Sequence, residues 1–351
     1  MSHPSKAHRV AYLAAEYPAV SHTLILREVE ALRRLGLDVR TCSVRSTDAV
    51  HHKGAAEKRA GQDTFYVLDA ARNPLTLLRA QGAAITQPGR YFGALRQALS
   101  MRAPGLRSLL YQVIYFVEAT VLAQHLRATG ITHLHNHFAN ASATVSMLAA
   151  RMADIPFSYT LHGPSDLMDP ERWRLDLKTA AAKFVSCISF YARSQAMLAS
   201  DPAHWDKLKI IHCGVEPARY TSTSSDEKAS VELIFVGRLA AVKGVRILLD
   251  ALRDARALHP DLDLNLTLVG DGPDRAALEA EAQDLDGAVR FLGYQTQDVV
   301  ADLLGQADMM VLPSFAEGVP VVLMEALASQ VPVIATQVAG VSELVEHNVS
   351  G

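Results

Sequence analysis

Residues 233–269 read LIFVGRLAAVKGVRILLDALRDARALHPDLDLNLTLV. The stretch opens on a short apolar run, Leu233–Val236, and closes on another, Leu264–Val269. Between them lies a helical pattern over about 244–257. Strand, helix and strand in that order form a βαβ unit, which implies a parallel sheet. The alternation continues, with strands expected at Val289–Leu292, Met309–Leu312 and Val331–Ala335. The matching helices fall at about 273–285, 297–306, 318–329 and 341–347. Upstream, a second set of strands is expected at Arg9–Ala15, Val39–Val44, Phe65–Leu68, Thr132–His135, Phe157–Leu161, Phe184–Ile188 and Lys209–His212. A helix over His22–Leu35 follows the first of these, with Ser21 as its N-cap and Gly36 as its stop. The two sets are divided by a polar, unpatterned run, TSTSSDEKAS, Thr221–Ser230.

The expected fold is therefore α/β, with two Rossmann-like, doubly wound parallel-sheet domains. The first covers 1–220 and carries a helical insertion at about 70–130. Residues 221–230 form the linker, and 231–351 the second domain. The chain stops just after a short helix, where a doubly wound domain ordinarily continues. A missing C-terminal segment is expected.

The chain has 351 residues, 49% of them hydrophobic, which suits two packed cores and excludes a disordered chain. Its three cysteines, Cys42, Cys187 and Cys213, are far apart and form no CxxC, so neither a disulfide framework nor a cysteine zinc site is expected. The N-terminus has no apolar core after its basic residues, and a cytoplasmic location fits. The longest apolar stretch, Leu106–Leu126, is broken by Arg107, Gln112, Glu118 and Gln124 and reads as a buried or interfacial helix. Net charge is −3, but residues 1–220 carry a balance of +9 and residues 221–351 one of −12. Halves of opposite sign suggest different partners.

Chemistry concentrates in the second half. In SFAEGVPVVLMEALA, Ser314–Ala328, a buried strand leads into a helix. Glu317 and Glu325 would stand about 12 Å apart if both lay on that helix, too far for an acid/base pair and suited to two points on one extended ligand. Gly318 would let backbone approach closely, and the free N–H groups of a helix start favour an anion. In FVGRLAAVKG, Phe235–Gly244, Arg238 and Lys243 sit between strand and helix. Cations are disfavoured at a helix N-terminus, so this placement makes sense if an anion lies between them. The plainer reading is two solvated surface cations and an ordinary capped helix.

Together these motifs resemble the family 4 glycosyltransferases, retaining enzymes of the GT-B fold. Glu317 and Glu325 fit the family's Glu-x7-Glu signature, and Arg238 and Lys243 its diphosphate-binding pair. LVGDGP (268–273), KIIHCGVEPARY (209–220) and TLHGPSD (160–166) fit further elements in order. The segments EYPAVSHTLILREVEAL (16–32) and HLHNHFANASA (133–143) resemble a narrower group acting in colanic acid and exopolysaccharide assembly. There His22 and Leu24 replace the usual Glu and Phe.

The resemblance implies domains facing a central cleft, and transfer of a hexose from a UDP- or GDP-linked sugar with retention of anomeric configuration. The acceptor would be a polysaccharide repeat or a lipid-linked glycan. Glu317 would hold sugar hydroxyls and Glu325 the ribose. Arg238 and Lys243 would neutralise the leaving diphosphate, and His162 would sit near the anomeric centre. Gly318, Val319, Asp166 and Gly270 complete the expected binding set. No metal and no cofactor besides the donor is implied.

His133, His135 and His137 alternate and would share one strand face; with His162 they could hold a metal, or simply end a strand at a cleft. Asp261-Leu262-Asp263 precedes a strand and reads as a polar turn. Between Asp69 and Glu118 no residue is acidic, while Arg72, Arg79, Arg90, Arg96, Arg102 and Arg107 interleave with apolar side chains. That mixture suits peripheral contact with an anionic membrane at the inner face of the plasma membrane, or a solvated helical subdomain. No nucleic-acid reader motif is present. Rival functions are a sugar-nucleotide epimerase or hydrolase on this fold, and a non-catalytic subunit of a glycan-assembly complex.

Overall fold

The computed structural model describes residues 8–19, 22–52, 54–222, 230–285 and 287–351. Ser21 and most of the expected linker lie outside them. The chain divides into two compact units, Met1–Ile211 and His212–Gly351. The division falls earlier than the expected boundary at 220, so the 3-10 turn Pro217–Arg219 belongs to the second unit.

The first unit holds strands β1 (Arg9–Glu16), β2 (Asp38–Arg45), β3 (Phe65–Tyr66), β4 (His133–His137), β5 (Phe157–Leu161), β6 (Val185–Cys187) and β7 (Leu208–Ile210). They form one sheet in the order β3-β2-β1-β4-β5-β6-β7, and every pair is parallel. Between β3 and β4 lie the helices Val67–Ala71, Pro74–Ile85, Pro88–Ser100 and Leu106–Ala128. This is the expected insertion.

The helix Thr23–Arg34 buries Ile25, Leu26 and Val29 against Tyr12 and Val39. It ends where Gly36 adopts φ +87°. There the Gly36 N–H bonds Arg33 O at 3.0 Å and the Leu37 N–H bonds Leu32 O at 3.1 Å. This is a Schellman cap, and it satisfies two carbonyls that the helix end would otherwise orphan.

The second unit holds β8 (Ser230–Val236), β9 (Asp263–Val269), β10 (Val289–Gly293), β11 (Met309–Leu312) and β12 (Val333–Ala335). Their order is β10-β9-β8-β11-β12, again parallel throughout. Phe235, Leu266, Leu268, Met310 and Leu323 are among the buried side chains of its core. In both sheets the strand order reverses beside the first strand, so each has a switch point, between β1 and β4 and between β8 and β11. In such sheets ligands bind at the carboxyl ends of the strands flanking the switch.

Two expected helices differ. The one expected at 318–329 starts only at Val321 and runs to Ala328. Pro320 explains the delay, since the residue before a proline is driven out of the helical region. The helix expected at 341–347 is a 3-10 turn, Ala339–Glu343.

Candidate active site

At the switch point of the second sheet, the loops leaving β8, β9 and β11 meet. Glycines set how closely. The Gly237 N–H bonds Val269 O at 2.9 Å, and the Leu239 N–H bonds Asp271 O at 2.9 Å. Gly270 lies against this seam at φ +131°, where an added Cβ would be 1.9 Å from Gly237 O. A Cβ on Gly272 would be 2.2 Å from Leu239 O. The floor is thus backbone on backbone. The Gly270 N–H is committed to Gly293 O at 2.9 Å, so Gly270 shapes the floor.

The β8 loop is also fastened to the β11 loop. Gly244 adopts φ +67°, and a Cβ there would be 2.1 Å from Pro313 O. The Phe315 N–H bonds Val242 O at 2.8 Å. These ties hold the turn Ala241–Lys243 against the segment that carries Glu317. The Lys243 ammonium donates to Glu317 Oε1 at 2.5 Å, and both side chains are largely shielded. Arg238, earlier in the same loop, is exposed, with no acidic partner among the described residues. One cation is therefore paired inside the site and another faces solvent beside it.

Glu317 and Glu325 do not share a helix. Glu317 precedes Pro320, and only Glu325 lies within Val321–Ala328, so the 12 Å helical spacing does not apply. Gly318 does not open the helix; its carbonyl accepts from the Gly340 N–H at 3.0 Å. Val319 is buried beside it. Pro320 forms the N-cap, and no side chain caps the first turn. Glu325 is buried and accepts the Tyr220 hydroxyl at 3.1 Å. Tyr220 escaped the sequence reading as a site residue. It lies 105 positions from Glu325, and no local pattern ties the two together.

The other expected residues, His162 and Asp166, lie in the first unit, at the carboxyl ends of β4 and β5. His162 Nε2 and His137 Nδ1 are 2.8 Å apart. Burial, with His22 and His135 nearby, pushes the His162 imidazole down to about 3, so it is neutral at pH 7. Asp166, expected to touch substrate, also has a structural task. It is fully buried, and its two oxygens accept from the Ala139 N–H at 2.8 Å and the His162 N–H at 3.1 Å. It staples the ends of β4 and β5 and fixes the turn carrying His162. Burial pushes its carboxyl up to about 6. Lys178, also unforeseen, is buried and donates to Ala139 O at 2.6 Å and Asn140 O at 3.0 Å.

The alternating histidines do line one face of β4. His133 Nε2 and His135 Nδ1 both meet Ser158 Oγ, at 2.6 and 2.7 Å, and His135 Nε2 meets Thr160 Oγ1 at 2.9 Å. In space Glu28 joins them. Ligand atoms of Glu28, His135 and His137 lie within 4.8 Å of one another. Both nitrogens of His135 are already hydrogen-bonded to hydroxyls, so an ion there would have to displace Ser158 or Thr160.

A doubly wound two-unit fold with cations and carboxylates gathered at a switch point is the architecture of a GT-B glycosyltransferase. The comparisons agree. Residues 230–351, most of the second unit, match the family model described as glycosyl transferases group 1. The chain is 26% identical over 360 residues to a Salmonella typhimurium protein named as a colanic acid biosynthesis glycosyltransferase, WcaL, covering 98% of this chain and 86% of that one. It is 25% identical over 376 residues to the amylovoran biosynthesis glycosyltransferase AmsK of Erwinia amylovora, with the same coverage of 98% and 86%. Among solved structures, Anabaena HepE in complex with UDP and glucose shares the fold, with a TM-score of 0.67 at 19% identity over 98% of this chain and 85% of that one.

Proposed function

We propose that the protein transfers a hexose from a nucleoside diphosphate sugar to a polysaccharide-repeat or lipid-linked acceptor, with retention of anomeric configuration. The observation that carries this reading is the Lys243–Glu317 contact beside unpaired Arg238, on a glycine-backed floor at the switch point. A diphosphate arriving there meets Arg238 at once and offers Lys243 a second anionic partner. Departure of that diphosphate builds positive charge at the anomeric carbon and negative charge on the leaving oxygens. Arg238, Lys243 and the uncapped start of Val321–Ala328 stabilise the leaving group electrostatically. Glu317, released in part from Lys243, takes sugar hydroxyls. Glu325, oriented by Tyr220, takes the ribose hydroxyls. In the first unit His162, neutral and braced by His137, offers a hydrogen-bonding imidazole that carries no positive charge at pH 7.

The names of WcaL and AmsK favour an exopolysaccharide acceptor, and the UDP complex of HepE puts UDP first among donor nucleotides. Calorimetric titration of UDP, GDP and ADP into wild type and Glu325→Ala tests the donor side. One nucleotide should bind, and the variant should bind it about tenfold or more weakly, as loss of hydrogen bonds to a charged group does. Glu317→Ala and Lys243→Ala should each lower turnover at least about a hundredfold while the protein stays folded. Undiminished transfer in both would remove the assignment. Donor turnover unaffected by any acceptor would instead identify an epimerase or hydrolase.

A further inference from the structure

We propose that Glu28, His135 and His137 form a site for a zinc-type divalent cation within the first unit. This stands independently of the reading of the second unit.

The three residues come from two elements that pack together. His135 and His137 lie two apart on β4 and share one face of the strand. Glu28 lies on the helix Thr23–Arg34, whose Ile25 and Val29 pack against Tyr12 and Val39 of the same sheet. One ligand atom from each of the three lies within 4.8 Å of the others. His137 is fully buried, and its Nε2 has no hydrogen-bond partner. Glu28 Oε2 stands 3.9 Å from that nitrogen. An N–H···O bond spans about 2.7–3.2 Å, so the carboxylate does not satisfy it directly. An ion about 2.1 Å from each atom would set them about 3.4 Å apart at tetrahedral angles. The gap is wider than that by about half an ångström, and Glu28, whose side chain is 41% exposed, is free to close it.

The surroundings are those of a ligand set. Metal-bound imidazoles and carboxylates are oriented by hydrogen bonds at their other polar atoms. The Tyr12 hydroxyl donates to Glu28 Oε1 at 2.6 Å, which leaves Oε2 for an ion. His162 Nε2 meets His137 Nδ1 at 2.8 Å, which leaves Nε2. His135 meets Ser158 through Nδ1 and Thr160 through Nε2, and must release one of them. Ser158 can yield without being stranded, because its hydroxyl also meets His133 Nε2 at 2.6 Å. Two imidazoles and one carboxylate suit zinc and its neighbours better than calcium or magnesium, which take oxygen ligands. Three protein ligands leave a fourth position for water.

The test is titration of zinc chloride and of cobalt chloride into the untagged full chain. One ion should bind per chain, and cobalt should develop visible absorption as it enters the site. Glu28→Gln keeps a partner for the Tyr12 hydroxyl and should weaken binding about a hundredfold or more, since losing even an outer partner of a ligand costs about ten- to a hundredfold. His137→Gln should do the same. His259→Ala removes an exposed histidine of the second unit and should bind as wild type does. In scanning calorimetry zinc should raise the transition of Met1–Ile211 and leave the other where it is. A wild type that takes up neither ion would overturn the proposal. So would wild-type affinity in both Glu28→Gln and His137→Gln, which would put the ion on other histidines. A zinc-dependent rise confined to the transition of the second unit would overturn it as well.

Discussion

Glu118 is a carboxylate in the wrong place for one. It sits on the buried side of Leu106–Ala128, its Oε2 without a hydrogen-bond partner, and burial pushes its pKa up to about 7 despite Arg45 nearby. Its native pKa is above its unfolded value. The folded state then binds the extra proton between about pH 4.5 and 7, so stability falls as pH rises through that window. The stabilisation is complete below the unfolded value and lost above about pH 7. The span corresponds to about 3 kcal/mol as an order of magnitude. Urea unfolding of Glu118→Gln should therefore show a higher midpoint than wild type at pH 8 and little difference at pH 4.5. A difference that grows toward acid would reverse this account. His162 and His135, both lowered to about 3, act in the opposite sense: their neutral forms stabilise above about pH 6.5, and acid removes that contribution.

Among the elements, the turns and the short seams between them carry more of the site than the helices do. Gly270→Ala would put a Cβ into Gly237 O and force a strained φ, so it should destabilise the second unit by about 3 kcal/mol or more. Denaturant unfolding checks this, and Gly82→Ala, a helical position with open space around it, is the control that should not destabilise. Sequence reading locates the strands well because each is a short apolar run with helices between, and buried parallel strands allow little else. It places Arg238, Lys243 and Glu317 on the correct loops for the same reason. It misplaces the start of the 321–328 helix, where Val319-Pro320 decides the boundary. It does not show that Asp166 staples two strand ends, because a carboxylate with that task has the same letter as one that binds substrate. Tyr220, Lys178 and the Glu28–His137 approach depend on chain segments far apart in sequence, so their roles became visible only in the folded units.

At the scale of the whole molecule, the two units have separate sheets and separate cores, so calorimetry should resolve two unfolding transitions. Saturating nucleotide should raise the one belonging to residues 212–351, by about 2.7 kcal/mol at a hundredfold excess over Kd. An equal shift of both transitions would mean that the nucleotide is not held by the second unit alone. The strand orders have a consequence for how such a chain is made. In each sheet the first strand to be synthesised lies inside, and every later strand adds to an outer edge: β2, then β3 on one side of β1, and β4 to β7 on the other. No strand has to be threaded between two that are already paired. Synthesis delivers residues from the N-terminus, and domains generally fold as units in that order. The seven-stranded sheet can thus be finished on the ribosome before β8 emerges, and the five-stranded one grows outward by the same rule. Late translation errors or stalls would then spare the histidine-bearing unit and leave it folded, waiting for the second.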